Sequence, residues 1–374
     1  MSLPGSLNPP ALPILAAASR RPGWILLDQD AYIAGRTNAT TAATTLPDGR
    51  TFEVSFWATD PPAVSHLCAR IPGSRSDATD FGYEPRVVGA EGRFVLIRVR
   101  FTSNGIYDEL FMYRADPDSP TLEQIPLPRD YRLPLFKAFG IAPRGDGGHY
   151  LVAALGLGDY TNNQFSYQLH IYSSEDQTWS VKPLPDSCPG GCGGGMTQKL
   201  ITLGEGVLGW VNFHRGVLVC DVFRKSIDAR FIPFPQPMPE NRVRLKEFHP
   251  GDPAFRVRDV AVSNGVIKFV EIEHRCIVTT ILPEKPIDPS VMDVLYDSDL
   301  IASQKRMDDK PRQVRTRDGW RAVTWTRAIS SNCWHKGRVV DVDDISVDDA
   351  MFSSLVSELG VVEHEGASLK FRDL

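Results

Sequence analysis

EGRFVLIRV, residues 91–99, places a glycine turn directly before a strand that is apolar on both of its faces. Side chains alternate between the two faces of a β-strand, so Phe94 and Leu96 fall on one face of this run. The other face carries Val95, Ile97 and Val99. Residues of these types favour strands. Apolar residues on both faces predict a sheet that is covered on both sides, as a sheet between two neighbouring sheets is.

Five other segments have the same form, and six glycines in all precede a strand-like run: Gly49, Gly92, Gly148, Gly206, Gly265 and Gly319. These glycines recur along the chain at a nearly regular interval. A tight turn between strands needs positive φ, which glycine adopts without strain. A repeat of roughly fifty residues is typical of propeller blades. The sequence therefore predicts an all-β, β-propeller-like fold of about six blades of antiparallel strands, in which these glycines are structural turn residues.

A second pattern of two strands, a polar turn and a proline stop recurs in phase with the glycines, at residues 110–128, 169–185 and 219–235. Proline cannot donate a hydrogen bond to a strand ladder. We therefore expect Pro126, Pro183 and Pro233 to end strands at the outer edges of blades.

The chain has 374 residues, of which 42% are hydrophobic and 23% charged. This composition is typical of a compact globular protein. We predict one β-propeller-like domain over residues 23–349, a flexible leader over 1–22 and an irregular tail over 350–374. A net charge of −5 without a clustered Lys/Arg stripe argues against nucleic-acid binding. No apolar run reaches the roughly 20 residues that cross a bilayer, so no membrane partner is predicted.

A long polar connection is predicted over residues 283–318, because this segment lacks a strand pattern. We assign five basic residues to this linker: Lys305, Arg306, Arg312, Arg315 and Arg317. Their expected role is to keep a long loop solvated.

The six cysteines are dispersed along the chain and do not form a disulfide framework. We interpret Cys68, Cys220 and Cys276, which lie in apolar strand patterns, as small buried hydrophobic residues. A reducing compartment, the cytoplasm or the nucleus, fits this pattern best. No acidic residue precedes Asp28, so an organelle transit peptide is kept as the less favoured alternative.

Few sequence motifs are candidates for a metal-binding or catalytic site. Cys188 and Cys192 lie in CPGGCGGG (188–195), which lacks the further ligands of a closed zinc site, and we interpret the segment as a flexible loop between blades. The acidic stretch DVDDISVDD (341–349) lacks the glycine and the closing glutamate of an EF-hand. We interpret this stretch as a solvated strand edge.

Glu271 and Glu273 alternate along one predicted strand, where they could line a central channel. General acid and base catalysis needs two such groups in a defined geometry. His214 and His249 are assigned to loops, and the sequence contains no Ser/His/Asp grouping, P-loop or dinucleotide fingerprint. We predict no catalytic, cofactor-binding or metal-ligating residues and no cofactor.

Several segments resemble one known family: residues 21–42, 206–239, 256–273, 318–327 and 331–349. Their most specific block is GWVNFHRGVLVCDV, residues 209–222. They are similar to the plant family called domain of unknown function 1618, which is expanded in grasses. The resemblance implies a propeller-like β fold similar to F-box-associated domains, with no catalytic residues to carry over. Because an F-box occupies some forty to fifty residues, we do not expect one in residues 1–22.

Two functions from different classes remain open at this point. The first is a non-catalytic interaction platform, whose loops bind an unknown protein partner. The alternative is an enzyme, a hydrolase or a carbohydrate-active propeller, with its site in the central channel. The strands after the glycines carry mostly Val, Phe, Leu, Ala and Trp instead of titratable residues, which favours the platform.

Overall fold

The computed structural model describes residues 9–10, 25–61, 63–73, 77–105, 107–127, 138–145, 148–161, 164–184, 197–247, 254–281 and 312–344. The chain divides into two compact units, Met1–Phe234 and Pro235–Leu374. Each unit is built mainly from antiparallel strands, which confirms the all-β prediction. No helix among the described residues is long and apolar enough to cross a membrane. The single domain predicted over 23–349 stays a prediction.

The first unit begins with a five-stranded sheet, sheet 1. Its strands are β1 (Leu26–Leu27), β2 (Tyr32–Ile33), β3 (Ala42–Thr45), β4 (Thr51–Trp57) and β5 (Val64–Arg70). Strands β3, β4 and β5 form an antiparallel meander. The two short strands β1 and β2 both pair with β5 in parallel, and they therefore complete the far edge of the sheet.

Three four-stranded antiparallel meanders follow in the first unit, after a short helix α1 (Asp77–Asp80). Sheet 2 contains β6 (Arg86–Glu91), β7 (Phe94–Val99), β8 (Glu109–Arg114) and β9 (Thr121–Ile125). Sheet 3 contains β10 (Phe139–Arg144), β11 (His149–Thr161), β12 (Gln164–Ser173) and β13 (Thr178–Pro183). Sheet 4 contains β14 (Lys199–Gly204), β15 (Val207–Asn212), β16 (Gly216–Asp221) and β17 (Ala229–Pro233).

The second unit contains one helix and one four-stranded sheet among its described residues. The helix is α2 (Pro239–Glu247). Sheet 5 contains β18 (Arg258–Ser263), β19 (Val266–Ile281), β20 (Arg312–Ala328) and β21 (His335–Asp341). Strands β19 and β20 are much longer than the two strands that flank them.

Strand β7 is buried on both faces, as the sequence predicts. Ile97 and Val99 pack in a core cluster with residues of sheet 1. Phe94 and Leu96, on the opposite face, pack in a second cluster with residues of sheet 3. A third cluster joins sheets 3 and 4. Successive sheets of the first unit therefore pack face to face, and each internal sheet has two apolar faces for that reason.

The cluster between sheets 1 and 2 is built around Phe52, which is fully buried. Its ring centroid lies 4.9 Å from that of Phe111, 5.4 Å from Phe101 and 6.1 Å from Phe81. Edge-to-face and tilted arrangements at these distances are favourable for aromatic rings.

Five glycines of the predicted series lie between the first two strands of a meander, one in each sheet. Their φ angles are 86° at Gly49, 56° at Gly92, 77° at Gly148, 71° at Gly206 and 71° at Gly265. Asn264, which precedes Gly265, also has positive φ, at 52°. Two successive residues with positive φ match the two-residue turn that the Asn-Gly pair favours between antiparallel strands.

Gly319 does not precede a sheet of its own, although the sequence predicts one, and the count of about six blades stays a prediction. It lies inside β20, in the same sheet as Gly265, and not between the first two strands of a further sheet. The described residues therefore form five sheets, and the unit predicted around Gly319 is the third strand of sheet 5. The glycine spacing could not reveal this, because a long hairpin within one sheet produces the same interval as a new sheet.

The predicted linker over 283–318 is also partly wrong, because β20 begins at Arg312. The backbone of Arg312, Arg315 and Arg317 pairs with β19 instead of forming a loop. Lys305 and Arg306 lie outside the described residues, as do the leader over 1–8 and 11–22, the 188–195 segment and the tail over 350–374.

Prolines mark the outer strands of sheets 2, 3 and 4, and this confirms the prediction. Pro126 directly follows β9, while Pro183 and Pro233 are the last residues of β13 and β17. All three strands lie at the edge of their sheets.

Candidate functional site

The C-terminal end of β19 and the N-terminal end of β20 form a two-stranded ribbon, which we define as residues 276–281 and 312–317. Strand β18 pairs with β19 only from Val266 to Glu271. Strand β21 pairs with β20 only from Arg321 to Thr326. From Cys276 opposite Arg317 to Ile281 opposite Arg312, the two strands pair with each other and with no third strand among the described residues.

This ribbon exposes β-branched apolar side chains. Ile277 is 53% exposed, Val278 46% and Val314 37%. Ile277 lies opposite Thr316, and Thr279 lies opposite Val314. Paired residues share a face and faces alternate along a strand, so these four residues occupy one face. These four residues are themselves uncharged, and Val278 lies on the opposite face.

Arg275 holds the base of the ribbon. Its Nη1 lies 3.2 Å from Asp341 Oδ2, and its Nη2 lies 2.6 Å from Asp343 Oδ2. Nη2 also donates a hydrogen bond of 3.3 Å to the carbonyl oxygen of Asp318. The hydrogen bond to Asp343 and the neighbouring carboxylates raise the pKa of Arg275. The guanidinium therefore ties β19 to the end of β21 where the four-stranded sheet becomes a two-stranded ribbon.

Gly319 is required at the same junction. The pairing register shifts between Arg275 and Cys276, and Gly319 has a φ of 136°. A Cβ atom at this position would lie 2.8 Å from Arg275 Nη2 and 2.9 Å from Val342 Cγ1. The sequence-predicted role in a hairpin turn is therefore replaced by a role at a β-bulge beside a guanidinium.

The described part of the acidic stretch 341–349 supplies two ion pairs. Asp341 and Asp343 both contact Arg275, and residues 345–349 lie outside the described residues. Among the residues that the structure describes, no group of three or more His, Cys, Asp and Glu side chains is placed to hold a metal ion.

Glu271 and Glu273 are fully buried and hold the first turn of α2. Glu271 Oε1 accepts hydrogen bonds from the Met238 backbone N–H at 2.9 Å and from Asn241 Nδ2 at 2.8 Å. Glu273 Oε1 accepts one from the Glu240 N–H at 2.6 Å. N–H groups at the start of a helix lack partners within the helix, and carboxylates are favourable acceptors there.

Each of these glutamates also pairs with an arginine. Arg258 Nη2 lies 3.0 Å from Glu271 Oε2, and the side chains of both are almost completely buried. Burial lowers the pKa of Arg258, although Glu271 acts in the opposite direction. Arg321 Nε lies 2.5 Å from Glu273 Oε2, and the Arg321 side chain is 39% exposed. The two glutamates therefore connect helix α2 to sheet 5. This role is structural, whereas the sequence suggested that the pair could line a central channel.

A cavity of about 260 Å³ lies among the first strands of sheets 2, 3 and 4. Val87, Phe139, Ile141 and Leu200 contribute apolar walls, and Lys199 contributes a cation. The described lining contains no carboxylate and no histidine. The acid and base required by the channel-enzyme hypothesis therefore do not come from these walls.

Two glycines outside the predicted series allow these strands to approach one another. A Cβ atom on Gly89 would lie 2.9 Å from the Phe139 carbonyl oxygen. A Cβ atom on Gly140 would lie 2.5 Å from Leu208 Cδ1. The sequence reasoning missed both, because neither lies in a turn. A glycine within a strand pattern was the available signal.

The remaining sequence candidates do not form a site among the described residues. Cys68 and Cys220 are buried, Cys276 is partly buried and Cys333 is exposed, and all four are free thiols. Burial raises the pKa of the Cys68 thiol to about 11. His214 lies in the turn between β15 and β16, where its backbone N–H donates to Asn212 Oδ1. His249 lies outside the described residues.

His66 is a buried titratable residue that sequence reasoning did not select. It is 1% exposed on β5, with its ring stacked on that of Trp57 and edge-on to that of Tyr32. Neither ring nitrogen has a hydrogen-bond partner among the described residues. Burial, with a smaller contribution from Arg36, lowers the pKa of His66. Burial therefore favours the neutral form of the imidazole.

The ribbon, α2 and all of sheet 5 lie within a segment that matches a known family. Residues 210–365 match the family described as protein of unknown function (DUF1618). The match also includes most of the 209–222 block on which the resemblance rests, so it supports that resemblance. The DUF1618 description gives no activity.

A comparison with curated proteins found no match. Among solved structures, MPT-1, a GDP-Man-dependent mannosyltransferase from Leishmania mexicana, aligns at 12% identity with a TM-score of 0.22. That alignment covers 66% of this chain and 65% of the mannosyltransferase. An endo-arabinase from Bacteroides thetaiotaomicron VPI-5482 aligns at 10% identity over 53% of this chain and 75% of its own, with a TM-score of 0.21. Similarity this low carries no argument about the DUF1618-matching segment or the rest of the chain.

Proposed function

We propose that this protein is a non-catalytic protein-interaction platform and that the ribbon of β19 and β20 is a contact surface for its partner. The proposal rests on the exposure of Ile277 and Val314, which lie on one face of a two-stranded segment. Contiguous exposed apolar residues are typical of surfaces that bind other proteins.

The physical argument concerns the stability of such a ribbon. A two-stranded hairpin is at best marginally stable in water, and a third strand or a covering layer stabilises it. Ile277, Thr279, Val314 and Thr316 share one face of the ribbon, and their β-branched side chains pack well on a pleated surface. Covering this face removes apolar area from water, which stabilises a complex.

Other features extend the proposal. The four free thiols support a reducing compartment, the cytoplasm or the nucleus. The net charge of −5 supports a protein partner rather than a nucleic acid. We retain a plant origin and a closed propeller as predictions, the latter supported by the face-to-face packing of successive sheets in the first unit.

The test is affinity capture with the full-length protein as bait. We expect wild-type protein to enrich a reproducible set of proteins. With Ile277→Lys/Val314→Lys the enrichment of that set should fall by roughly ten-fold or more, because two cations would enter an apolar interface. Val181→Lys is the matched control, since Val181 is 50% exposed on β13 in the other unit. An unchanged set with the double variant, at unchanged thermal midpoint, would contradict the proposal.

A further inference from the structure

Strand β21 differs from the outer strands of sheets 2, 3 and 4. Its sequence is HKGRVVD, and its first six residues are all exposed. It pairs with β20 on one side and with no other strand among the described residues. The other three edge strands end at or just before a proline, whereas β21 contains none. All seven of its residues therefore carry a backbone N–H group.

The exposed part of β21 is basic. His335, Lys336 and Arg338 are exposed, and no ion pair joins Lys336 or Arg338 to a described residue. The single acidic residue of the strand, Asp341, is held by Arg275. The acidic stretch 341–349 follows directly, and its carboxylates Asp341 and Asp343 are paired with Arg275.

Apolar contacts are available on both faces of the same strand. Val339 is 51% exposed and its neighbour Val340 is 38% exposed. Val339 lies opposite Val323 and Val340 lies opposite Ala322, so the two valines point to opposite faces of the sheet. An added strand could place side chains against each of them.

We propose that the free edge of β21 binds an extended acidic segment of a partner protein as an additional strand of sheet 5. Main-chain hydrogen bonds supply affinity in this mode, and side chains at alternate positions supply specificity. Carboxylates of the partner would face Lys336 and Arg338, and this charge complementarity selects an acidic strand. The inference rests on the proposed platform function and names the chemistry of one partner.

Lysine on an edge strand also has a simpler use, because it discourages pairing between like edges. That role predicts repulsion between copies of this chain and no affinity for any peptide. The strand-addition hypothesis and the edge-protection hypothesis therefore differ in one measurable property, the binding of an acidic strand.

The experiment uses fluorescein-labelled synthetic peptides of about ten residues and fluorescence anisotropy with the full chain. The probe alternates Glu and Val. A peptide of alternating Lys and Val tests the sign of the charge, and one of alternating Glu and Pro keeps the charge but cannot supply a regular ladder of N–H donors. We expect only the Glu–Val peptide to bind, and more weakly at high salt.

The variant Lys336→Glu/Arg338→Glu should weaken binding of the Glu–Val peptide by roughly ten-fold or more, since attraction becomes repulsion. Lys225→Glu changes the charge of an exposed residue in the other unit and should leave binding unchanged. Hydrogen exchange should slow at residues 335–341 when the peptide is bound. Equal binding of the Glu–Pro peptide, or no binding of the Glu–Val peptide, would overturn the proposal.

The ribbon variant Ile277→Lys/Val314→Lys separates this inference from the platform proposal. It should keep its affinity for the Glu–Val peptide while losing captured partners. If the wild-type protein captures partners but does not bind the Glu–Val peptide, only the β21 inference is contradicted.

Discussion

At the scale of single residues, His66 is a neutral imidazole enclosed by aromatic rings. Its pKa is lowered in the folded protein, mainly by burial, from an ordinary value of 6.5. The unfolded chain therefore binds more protons than the folded chain as pH falls below about 6.5. Well above that pH both states are neutral, and His66 contributes no pH dependence. The stability of the protein should accordingly decrease as pH falls.

The corresponding prediction concerns His66→Phe, which keeps a ring beside Trp57 and Tyr32 but removes the titration. The loss of unfolding free energy between pH 7.5 and 5.5 should shrink by roughly 1 kcal/mol. Urea unfolding at the two pH values measures it. Burial also lowers the pKa of His170, so some pH dependence should remain in the variant. An identical pH dependence in both proteins would show that His66 is not the group concerned.

Residues of one type also show where sequence reasoning fails. Gly265 and Gly319 follow an acidic or amide residue and precede similar strands, so the sequence predicts one role for both. In the structure, Gly265 forms a turn with open space around it, whereas Gly319 lies against Arg275 and Val342. The difference comes from residues distant in sequence, which local spacing does not encode.

At the scale of elements, α2 depends on two glutamates of β19 that lie far beyond it in the chain. The alternation of Glu271 and Glu273 correctly indicates a strand. Their hydrogen bonds to the start of α2 were not predictable, because α2 has no strong sequence pattern and its contacts with the sheet are non-local. Arg258 and Arg321, which complete the arrangement, were missed for the same reason.

Glu271→Gln should destabilise the protein by about 3–5 kcal/mol, because Arg258 would become a buried cation without its carboxylate. The single carbonyl oxygen of glutamine can still accept the hydrogen bonds from Met238 and Asn241, but its NH2 group would then face the Arg258 Nη2 donor, so the cost includes the lost charge and the lost hydrogen bond. Glu273→Gln should cost only about 1 kcal/mol or less, since Arg321 is partly exposed to water. Denaturant unfolding compares the two, and a larger cost for Glu273→Gln would contradict this assignment.

At the scale of the whole molecule, the first unit is a series of sheets joined by apolar layers. The pattern of residues 91–99 correctly predicts sheets packed on both sides, because apolar residues occupy both faces of that one strand. The number of sheets was not predictable, because the sequence does not show that Gly265, in the turn before β19, and Gly319, within β20, belong to the same sheet.

The layer between sheets 1 and 2 gives a direct test of this packing. Phe52→Ala should destabilise the protein by about 3–5 kcal/mol, because it opens a cavity among Phe81, Phe101 and Phe111. The control is the same substitution at Phe255, which is 58% exposed. Phe255→Ala should change the free energy of unfolding by about 0.5 kcal/mol or less. Urea unfolding measures both, and similar costs at the two positions would be inconsistent with the packing of these sheets.

The amino-acid sequence is enough to predict the all-β class, the glycine turns of five meanders, the proline stops and the two-sided burial of the strands. These follow from side-chain alternation and backbone conformation, which act over a few neighbouring residues. The folded structure was needed to show that Gly319 lies in sheet 5, that Glu271 and Glu273 contact α2, and that the ribbon and the edge strand β21 are exposed. Those outcomes depend on which distant segments come into contact, and a local pattern does not specify them.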